Sequence, residues 1–130
     1  MKSATGIAAL DIVYPPGYSG VVIELRKTER FAKWIDGLRD IRARARVQAR
    51  IERLAAGQAG DAKPVGEGVS ELRIDCGPGY RVYFKKRGRS LVILLAGGDK
   101  RAQSRDIQTA LRLARDLQES NDEQDENHSL

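Results

Sequence analysis

The sequence of 130 residues is poor in cysteine and in aromatic residues, and it has no long apolar run. Its single cysteine, Cys76, excludes an internal disulfide and suits a reducing compartment. No apolar stretch approaches the roughly 20 residues that a membrane-spanning helix needs. The apolar segment Gly6–Leu10 is also shorter than the core of an export signal, which takes roughly 7–15 residues. We therefore predict a cytoplasmic protein that has no contact with a membrane.

Metal ligands and signatures of nucleotide binding are missing as well. The only histidine is His128, and the acidic residues form no cluster with the spacing of metal ligands. Gly97-Gly98 is not followed by the Gly-Lys-Ser/Thr that a phosphate-binding loop requires. This pattern excludes a nucleotide hydrolase of that type, and we expect no metal and no other cofactor.

Acidic residues are unevenly distributed along the chain. Five of the 18 lie in the last twelve residues, which contain none of the 23 lysines and arginines. Residues 1–118 alone therefore carry a net charge of +10. Such a basic body repels itself, and an anionic partner is a common reason for it. Nucleic acid is the first candidate partner, and a solvated basic surface without a partner is the alternative.

The composition divides the chain into three parts. Pro15-Pro16-Gly17 breaks regular structure, so residues 1–20 are predicted to form a flexible N-terminal extension. Residues 21–118 are long enough for one domain with a single core. Residues 119–130 are acidic and nearly free of apolar side chains, so we predict a disordered acidic tail.

Apolar periodicity predicts an α+β domain in residues 21–118. In chain order we expect a strand at 21–25, a helix from Thr28 to Gly37, a second helix at 40–56, strands at 62–65, 69–75, 80–86 and 90–96, and a last helix after Asp99. Phe31 and Trp34 fall on the apolar side of the first helix and are expected in the core. The predicted architecture is a helical hairpin packed on a mainly antiparallel sheet, with a C-terminal helix.

The turn at residues 76–79 sets the register of the predicted hairpin. A three-residue loop that pairs Asp75 with Gly79 places apolar side chains together on one face of the sheet. The opposite face then holds Glu71, Arg73 and Asp75 from one strand, with Arg81 and Tyr83 from the next. A shift of one residue would scramble both faces, so we prefer this register.

Four segments carry a resemblance to a known family. They are residues 22–31 (Val-Ile-Glu-Leu-Arg-Lys-Thr-Glu-Arg-Phe), 69–73 (Val-Ser-Glu-Leu-Arg), 77–84 (Gly-Pro-Gly-Tyr-Arg-Val-Tyr-Phe) and 94–100 (Leu-Leu-Ala-Gly-Gly-Asp-Lys), the last with Gln103 and Asp106-Ile107 beyond it. Together they resemble the HigB-like, phage-derived addiction module killer branch of the RelE/ParE toxin superfamily. The resemblance spans about residues 21–118.

The resemblance implies a RelE-like core in the order β-α-α-β-β-β and the toxin role in a type II toxin–antitoxin module. It implies a ribosome-dependent, metal-independent mRNA endonuclease that inhibits translation, in which the ribose 2′-hydroxyl attacks the adjacent phosphate. The implied partners are mRNA on the ribosome and a helix-turn-helix antitoxin, through which alone the chain would meet DNA. Arg73 matches the catalytic arginine of the family's Leu-Arg strand, and Lys100 lies near a basic position after the family's glycine.

The residues themselves can support this chemistry. An arginine fork can stabilise the anionic phosphorane, and Arg73 and Arg81 lie on neighbouring strands and one predicted face. We therefore predict Arg73, Arg81 and Lys100 as catalytic, with substrate contacts from Tyr83, by stacking on a base, and from Lys63 and Arg101. Alternatively, Arg81 is structural and pairs with Glu71 or Asp75, and Tyr83 only packs.

The group that moves the proton is not identified by the sequence. Some relatives have a catalytic Tyr or His near the C-terminus, where this chain reads Arg105-Asp106-Ile107. Lys63, Glu71, Asp99 and Lys100 are the candidates. The second helix also carries a row of arginines that is either a solvated face or a contact with ribosomal RNA.

Two rival functions remain open at this point. ParE-like members of the superfamily bind DNA gyrase and do not cut RNA, and the missing C-terminal Tyr or His leaves room for that function. An inactive toxin that serves only as an antitoxin's partner is the other. The shared face of Arg73 and Arg81 favours the nuclease.

Overall fold

A computed structural model of the chain describes residues 7–9 and 23–128. Its elements, in chain order, are β1 (Ile7–Ala9), β2 (Glu24–Thr28), α1 (Glu29–Asp36), α2 (Ile41–Ala55), β3 (Ala62–Gly66), β4 (Val69–Ile74), β5 (Tyr80–Arg87), β6 (Leu91–Asp99), a short 3-10 turn (Lys100–Ala102) and α3 (Gln103–His128). The protein is therefore α+β, as predicted, with a C-terminal helix.

One mixed sheet contains all of these strands in the order β1-β2-β6-β5-β4-β3. Only β2 and β6 pair in parallel, and the other neighbours are antiparallel. The meander β3-β4-β5-β6 follows the helical hairpin, which is the predicted order. Arg73 lies opposite Arg81 and Ile74 opposite Tyr80, so the predicted register of the β4-β5 hairpin is confirmed.

The chain differs from the sequence prediction at four element boundaries. The strand predicted at 90–96 runs through Gly97 and Gly98 to Asp99, because both glycines pair with β5. The first predicted strand, 21–25, is found at Glu24–Thr28, where pairing with β6 defines it; residues 21 and 22 lie outside the described part. Ile7–Ala9, within the predicted flexible extension, pairs with β2, and the rest of residues 1–20 lies outside the described part. Helix α3 continues through 119–128, where we expected disorder, because no glycine or proline interrupts it.

Side-chain caps define where the helical hairpin begins. The Thr28 hydroxyl accepts a hydrogen bond from the Phe31 amide (3.1 Å) and donates one to the Leu95 carbonyl (2.6 Å), so it ties the start of α1 to β6. Asp40 caps α2 by accepting from the amides of Arg42 and Ala43. Both caps fall where the sequence placed helix starts.

The sheet has a hydrophobic core on each face. Helices α1 and α2 cover one face, with a core that includes Phe31, Val47 and Leu72. Helix α3 covers the other through Ala110, Leu111 and Ala114, among others. Within the described residues, no helix combines the length and the apolar character that crossing a bilayer demands.

Gly97 and Gly98 let helices approach both faces of β6 closely. A β-carbon at Gly97 would overlap the indole ring of Trp34 in α1, and one at Gly98 would overlap the carboxylate of Asp106 in α3. Trp34 thus packs in the core as predicted, with edge contact to Tyr80 at a centroid distance of 6.2 Å. Gly97 and Gly98 lie within strand β6 and act here through their small size.

We predict that Gly97→Ala destabilises the protein by about 1–3 kcal/mol, because the added methyl forces the partly buried indole of Trp34 to move. Chemical denaturation of the wild type and the variant measures the change. In a Trp34→Leu background, Gly97→Ala should lower the free energy of unfolding by clearly less. Strictly additive free energies for the two substitutions would contradict the proposed overlap.

Candidate functional site

A buried carboxylate, Glu71 in β4, lies at the centre of the predicted site. Its side chain has no solvent exposure (0%). The hydroxyl of Tyr83 and the amide of Gln103 donate hydrogen bonds to Oε2, at 3.0 and 2.9 Å, and Nε of Arg73 donates to Oε1 at 3.2 Å. Donors from β4, β5 and α3 therefore converge on one charge.

Two guanidinium groups flank this carboxylate on one face of the sheet. Arg73 and Arg81 are opposite each other across β4 and β5, and Nε of Arg81 lies 3.5 Å from Oε2 of Glu71. The side chain of Arg73 is 36% exposed, and that of Arg81 is 12% exposed. The alternative that Arg81 pairs with Glu71 is thus confirmed. We call Glu71, Arg73, Arg81, Tyr83 and Gln103 the Glu71 cluster.

Hydrogen bonds keep Glu71 ionised despite its burial. Burial alone would raise its pKa, but hydrogen bonds from Gln103, Arg73 and Tyr83 and the charge of Arg81 outweigh that effect, so its pKa lies below the ordinary value. A carboxyl group with a lowered pKa and four partners is a weak proton acceptor. Glu71 therefore fits a structural role better than the proton-transfer role that the sequence left open.

Tyr83 does not have the predicted role of stacking on a base. It is completely buried beneath α3, in the core that contains Ala110 and Ala114. Burial first, and then the charge of Glu71, raises the pKa of its hydroxyl. The hydrogen bond to Glu71 satisfies that hydroxyl, so the prediction was wrong and Tyr83 holds the cluster in place.

The predicted lysines lie around the cluster. Lys63 in β3 is exposed and directly opposite Glu71 in the sheet register. Lys100 follows β6 and is exposed; its Cβ and a terminal nitrogen of Arg81 both lie near Gly79, at 3.7 and 3.4 Å from the position that a β-carbon there would occupy. Lys100 therefore borders the same end of the sheet as Arg81.

Arg101 pairs with Asp99 and has no described contact with this group of residues. Its guanidinium pairs with Asp99 at 3.1 Å and is largely exposed. Asp99 also caps the 3-10 turn by accepting from the Arg101 amide, and these hydrogen bonds lower the pKa of Asp99. Arg101 and Asp99 line an open cavity of about 530 Å³ with Ser104 and Arg105. The described contacts do not connect Arg101 with Glu71.

The arginine row of α2 divides into two kinds of residue. Arg44 donates to the carbonyls of Asp36 and Leu38, and Arg50 donates to those of Arg73 and Ala59, so both hold backbone in place. The exposed members are Arg42, Arg46 and Arg53, and the exposed Arg39 lies just before the helix. Arg46 and Arg53 border a groove of about 320 Å³ beside the end of β4.

Two residues of α3 received no role in the predicted site, although both are among those that carry the resemblance. Gln103 bonds Glu71, and Asp106 is buried against Gly98. Both are polar residues near the start of an amphipathic helix, where side chains usually face solvent; their helical spacing of three was the signal for a shared face. In the described residues no three His, Cys, Asp or Glu side chains group as metal ligands would.

A protein of Haemophilus influenzae, described as an uncharacterized protein, is 48% identical to the chain over 97 residues. The match covers 75% of the chain and 98% of that relative. The chain belongs to the same family as this Haemophilus protein. No family model matches the chain, and no solved structure matches it. The relative's description names no activity, so the site must be judged from its chemistry.

The arrangement can bind an anion with oriented guanidinium groups. Glu71 balances one of the two arginine charges, and one positive charge remains for a ligand. Pairing with a buried carboxylate also fixes the direction of each arginine fork, which lowers the entropy lost when a phosphate binds. Lys63 and Lys100 add charge at the border.

We predict that Glu71→Gln lowers the free energy of unfolding by about 3 kcal/mol at neutral pH. This value is at the lower end of the free energy that is lost when a buried ion pair is broken, because Arg73 stays partly hydrated. The pKa of Glu71 is lowered by folding, so its stabilisation is present above the ordinary glutamate pKa and is lost as the pH falls through the lowered value. Denaturant unfolding from pH 3 to 7 should show the wild type and the variant converging in acid.

Glu67→Gln is the matched control for this substitution. Glu67 forms an exposed pair with Arg115 at 3.1 Å, and such pairs contribute little. Its loss should change stability by at most about 0.5 kcal/mol. Equal effects of the two substitutions would show that burial of the Glu71 charge has no energetic consequence.

Proposed function

We propose that this protein is the toxin of a type II toxin–antitoxin module and acts as a metal-independent endoribonuclease on mRNA in the ribosome. The observation that carries the proposal is the pair of guanidinium groups that Glu71 holds on one sheet face. Arg73 is the more exposed of the two, and its terminal nitrogens make no hydrogen bond within the described part of the chain. They are available to a phosphate.

Two further observations support this proposal. The helical hairpin followed by an antiparallel meander is the order that the family resemblance implies. The net charge of +10 over residues 1–118 favours a polyanionic substrate, and exposed arginines on α2 extend the basic surface beyond the cluster. An extended RNA would cover more of this surface than a small anion.

The role that we propose for each residue follows from its exposure and position. Arg73 binds the scissile phosphate with its free nitrogens and stabilises the charge that develops on attack by the 2′-hydroxyl. Arg81, fixed between Glu71 and the carbonyl of Gly79, supports that phosphate from the inner side. Lys100, at the same end of the sheet, gives a proton to the leaving 5′-oxygen.

A protein partner is part of the proposal. An antitoxin of the helix-turn-helix type would cover the basic face with an acidic segment, because a guanidinium removed from water needs a charged partner. The chain would then meet DNA only through that antitoxin. The partner's masking segment and the substrate RNA would compete for Arg73.

We predict that Arg73→Ala reduces mRNA cleavage by at least about 100-fold, the usual effect of removing one preorganised donor to a developing anion. Arg73→Lys should also be impaired, since an ammonium lacks the planar fork. The measurement is the yield of new 5′ ends within translated codons, after production of the chain alone in cells and with purified ribosomes.

Arg89→Ala is the control, because Arg89 is an exposed arginine in the turn between β5 and β6. The Arg89→Ala variant should cleave mRNA as the wild type does. Intact mRNA in cells that accumulate double-strand DNA breaks would contradict the proposal and indicate the gyrase-binding alternative. Cleavage that is unaffected by either Arg73 substitution would equally contradict the assigned site.

A further inference from the structure

Asp106, near the start of α3, is a buried carboxyl group that lacks a full set of partners. The residue is 8% exposed, and its Oδ2 receives no hydrogen bond in the described part of the structure. The carboxylate lies over Gly98, in space that any side chain at that position would fill. Buried polar atoms are nearly always paired, so an unpaired carboxylate oxygen needs an explanation.

This carboxyl group lies beside the Glu71 cluster. Gly98 is directly opposite Arg81 in the sheet register, and such pairs have Cα atoms about 5 Å apart. Among the described residues, Nε of Arg81 also makes no hydrogen bond, although it lies 3.5 Å from Oε2 of Glu71 in the ion pair. Neighbouring positions on β5 and β6 thus present a guanidinium N–H and a carboxylate oxygen that make no hydrogen bond, on the face that α3 covers.

A hydroxyl group satisfies both kinds of atom, because it accepts one hydrogen bond and donates another. The attacking group in the proposed RNA cleavage is such a hydroxyl, next to a phosphate that needs a guanidinium. We propose that Asp106 is the general base that removes the proton from the ribose 2′-hydroxyl. This inference rests on the proposed nuclease function and identifies the residue that the proposed mechanism otherwise lacks.

The step balances in protons and electrons. The 2′-hydroxyl gives its proton to Oδ2 of Asp106, and the oxygen's electron pair forms the new bond to phosphorus. The bond from phosphorus to the 5′-oxygen breaks, and that oxygen takes its electron pair and a proton from Lys100. The products are a 2′,3′-cyclic phosphate and a 5′-hydroxyl, and exchange with water restores Asp106 and Lys100.

The surroundings make Asp106 a better proton acceptor than an exposed aspartate. Burial raises its pKa; Arg105 in α3 and Arg30 in α1 oppose that effect, and Asp99 at the end of β6 adds to it. Tyr83 faces it from β5 with a neutral hydroxyl whose own pKa is raised. A base is more effective as its pKa approaches the working pH. The pKa of Glu71 is shifted in the opposite direction, below its ordinary value.

The test is Asp106→Asn in the full chain, with ribosomes programmed with a model mRNA and single-turnover cleavage measured from pH 4.5 to 8.5. Loss of a general base should lower the cleavage rate by roughly 100-fold or more. The wild-type rate should fall on the acid side of the profile, and the residual rate of the variant should not. Asp106→Glu, which keeps a carboxylate, should retain part of the activity.

Stability separates this role from a structural one. Folding raises the pKa of Asp106, so the wild type should lose stability as the pH rises through that pKa, and Asp106→Asn should remove this loss. The variant should therefore be at least as stable as the wild type while cutting far more slowly. Asp116→Asn, an exposed change on the same helix, should leave the rate unchanged.

The outcomes also separate this inference from the proposed function. A wild type that cuts, with an Asp106→Asn variant that cuts within about threefold and with the same pH profile, would overturn the role of Asp106 and leave the nuclease proposal standing. A variant that is inactive because it is unfolded would also overturn it, because the argument requires a stable variant. A wild type that never cuts would remove both proposals together.

Discussion

A single buried negative charge organises the end of the sheet that holds the candidate site. Glu71 has no contact with water and must be paired inside the protein, because an isolated carboxylate is costly in a medium of low polarity. Its partners come from β4, β5 and α3, so three elements are held together at one point. The same pairing directs Arg73 and Arg81 to a common side, where a phosphate can meet the exposed nitrogens of Arg73.

Close helix packing makes this pairing possible. Without side chains at Gly97 and Gly98, the sheet lets α1 approach one face and the first turns of α3 approach the other. Gln103 can then reach Glu71, and Asp106, one turn further, is buried against the strand that lies beside Arg81. The geometry of the proposed site thus depends on two glycines that contact no substrate.

The sequence predicted most of the fold, because its signals are local. Caps at Thr28 and Asp40, the apolar periodicity of the helices and the turn at 76–79 each act within a few residues, and together they fixed the element order and the hairpin register. The face shared by Arg73, Arg81 and Tyr83 followed from that register. The register does not predict which element covers this face, because the alternation of side chains along a strand is the same on a side covered by a helix and on an exposed side.

The misjudged residues have the same physical origin. Tyr83 is predicted to stack on a base because it shares a face with Arg73 and Arg81, yet α3 buries it. Gln103 and Asp106 belong to the resemblance, but they contact β4 and β6, which local helix periodicity does not reveal. The packing of α3 on the sheet is therefore the feature that local periodicity could not predict.

The most direct test of the account is an NMR titration of the Glu71 side-chain carboxyl carbon in the full chain. Ionised Glu71, held by its donors, predicts a midpoint below the ordinary pKa of 4.5. A midpoint at or above that value would show that burial dominates over the hydrogen bonds. The arginines would then have no fixed counter-charge to orient them, and the account of the site would be wrong.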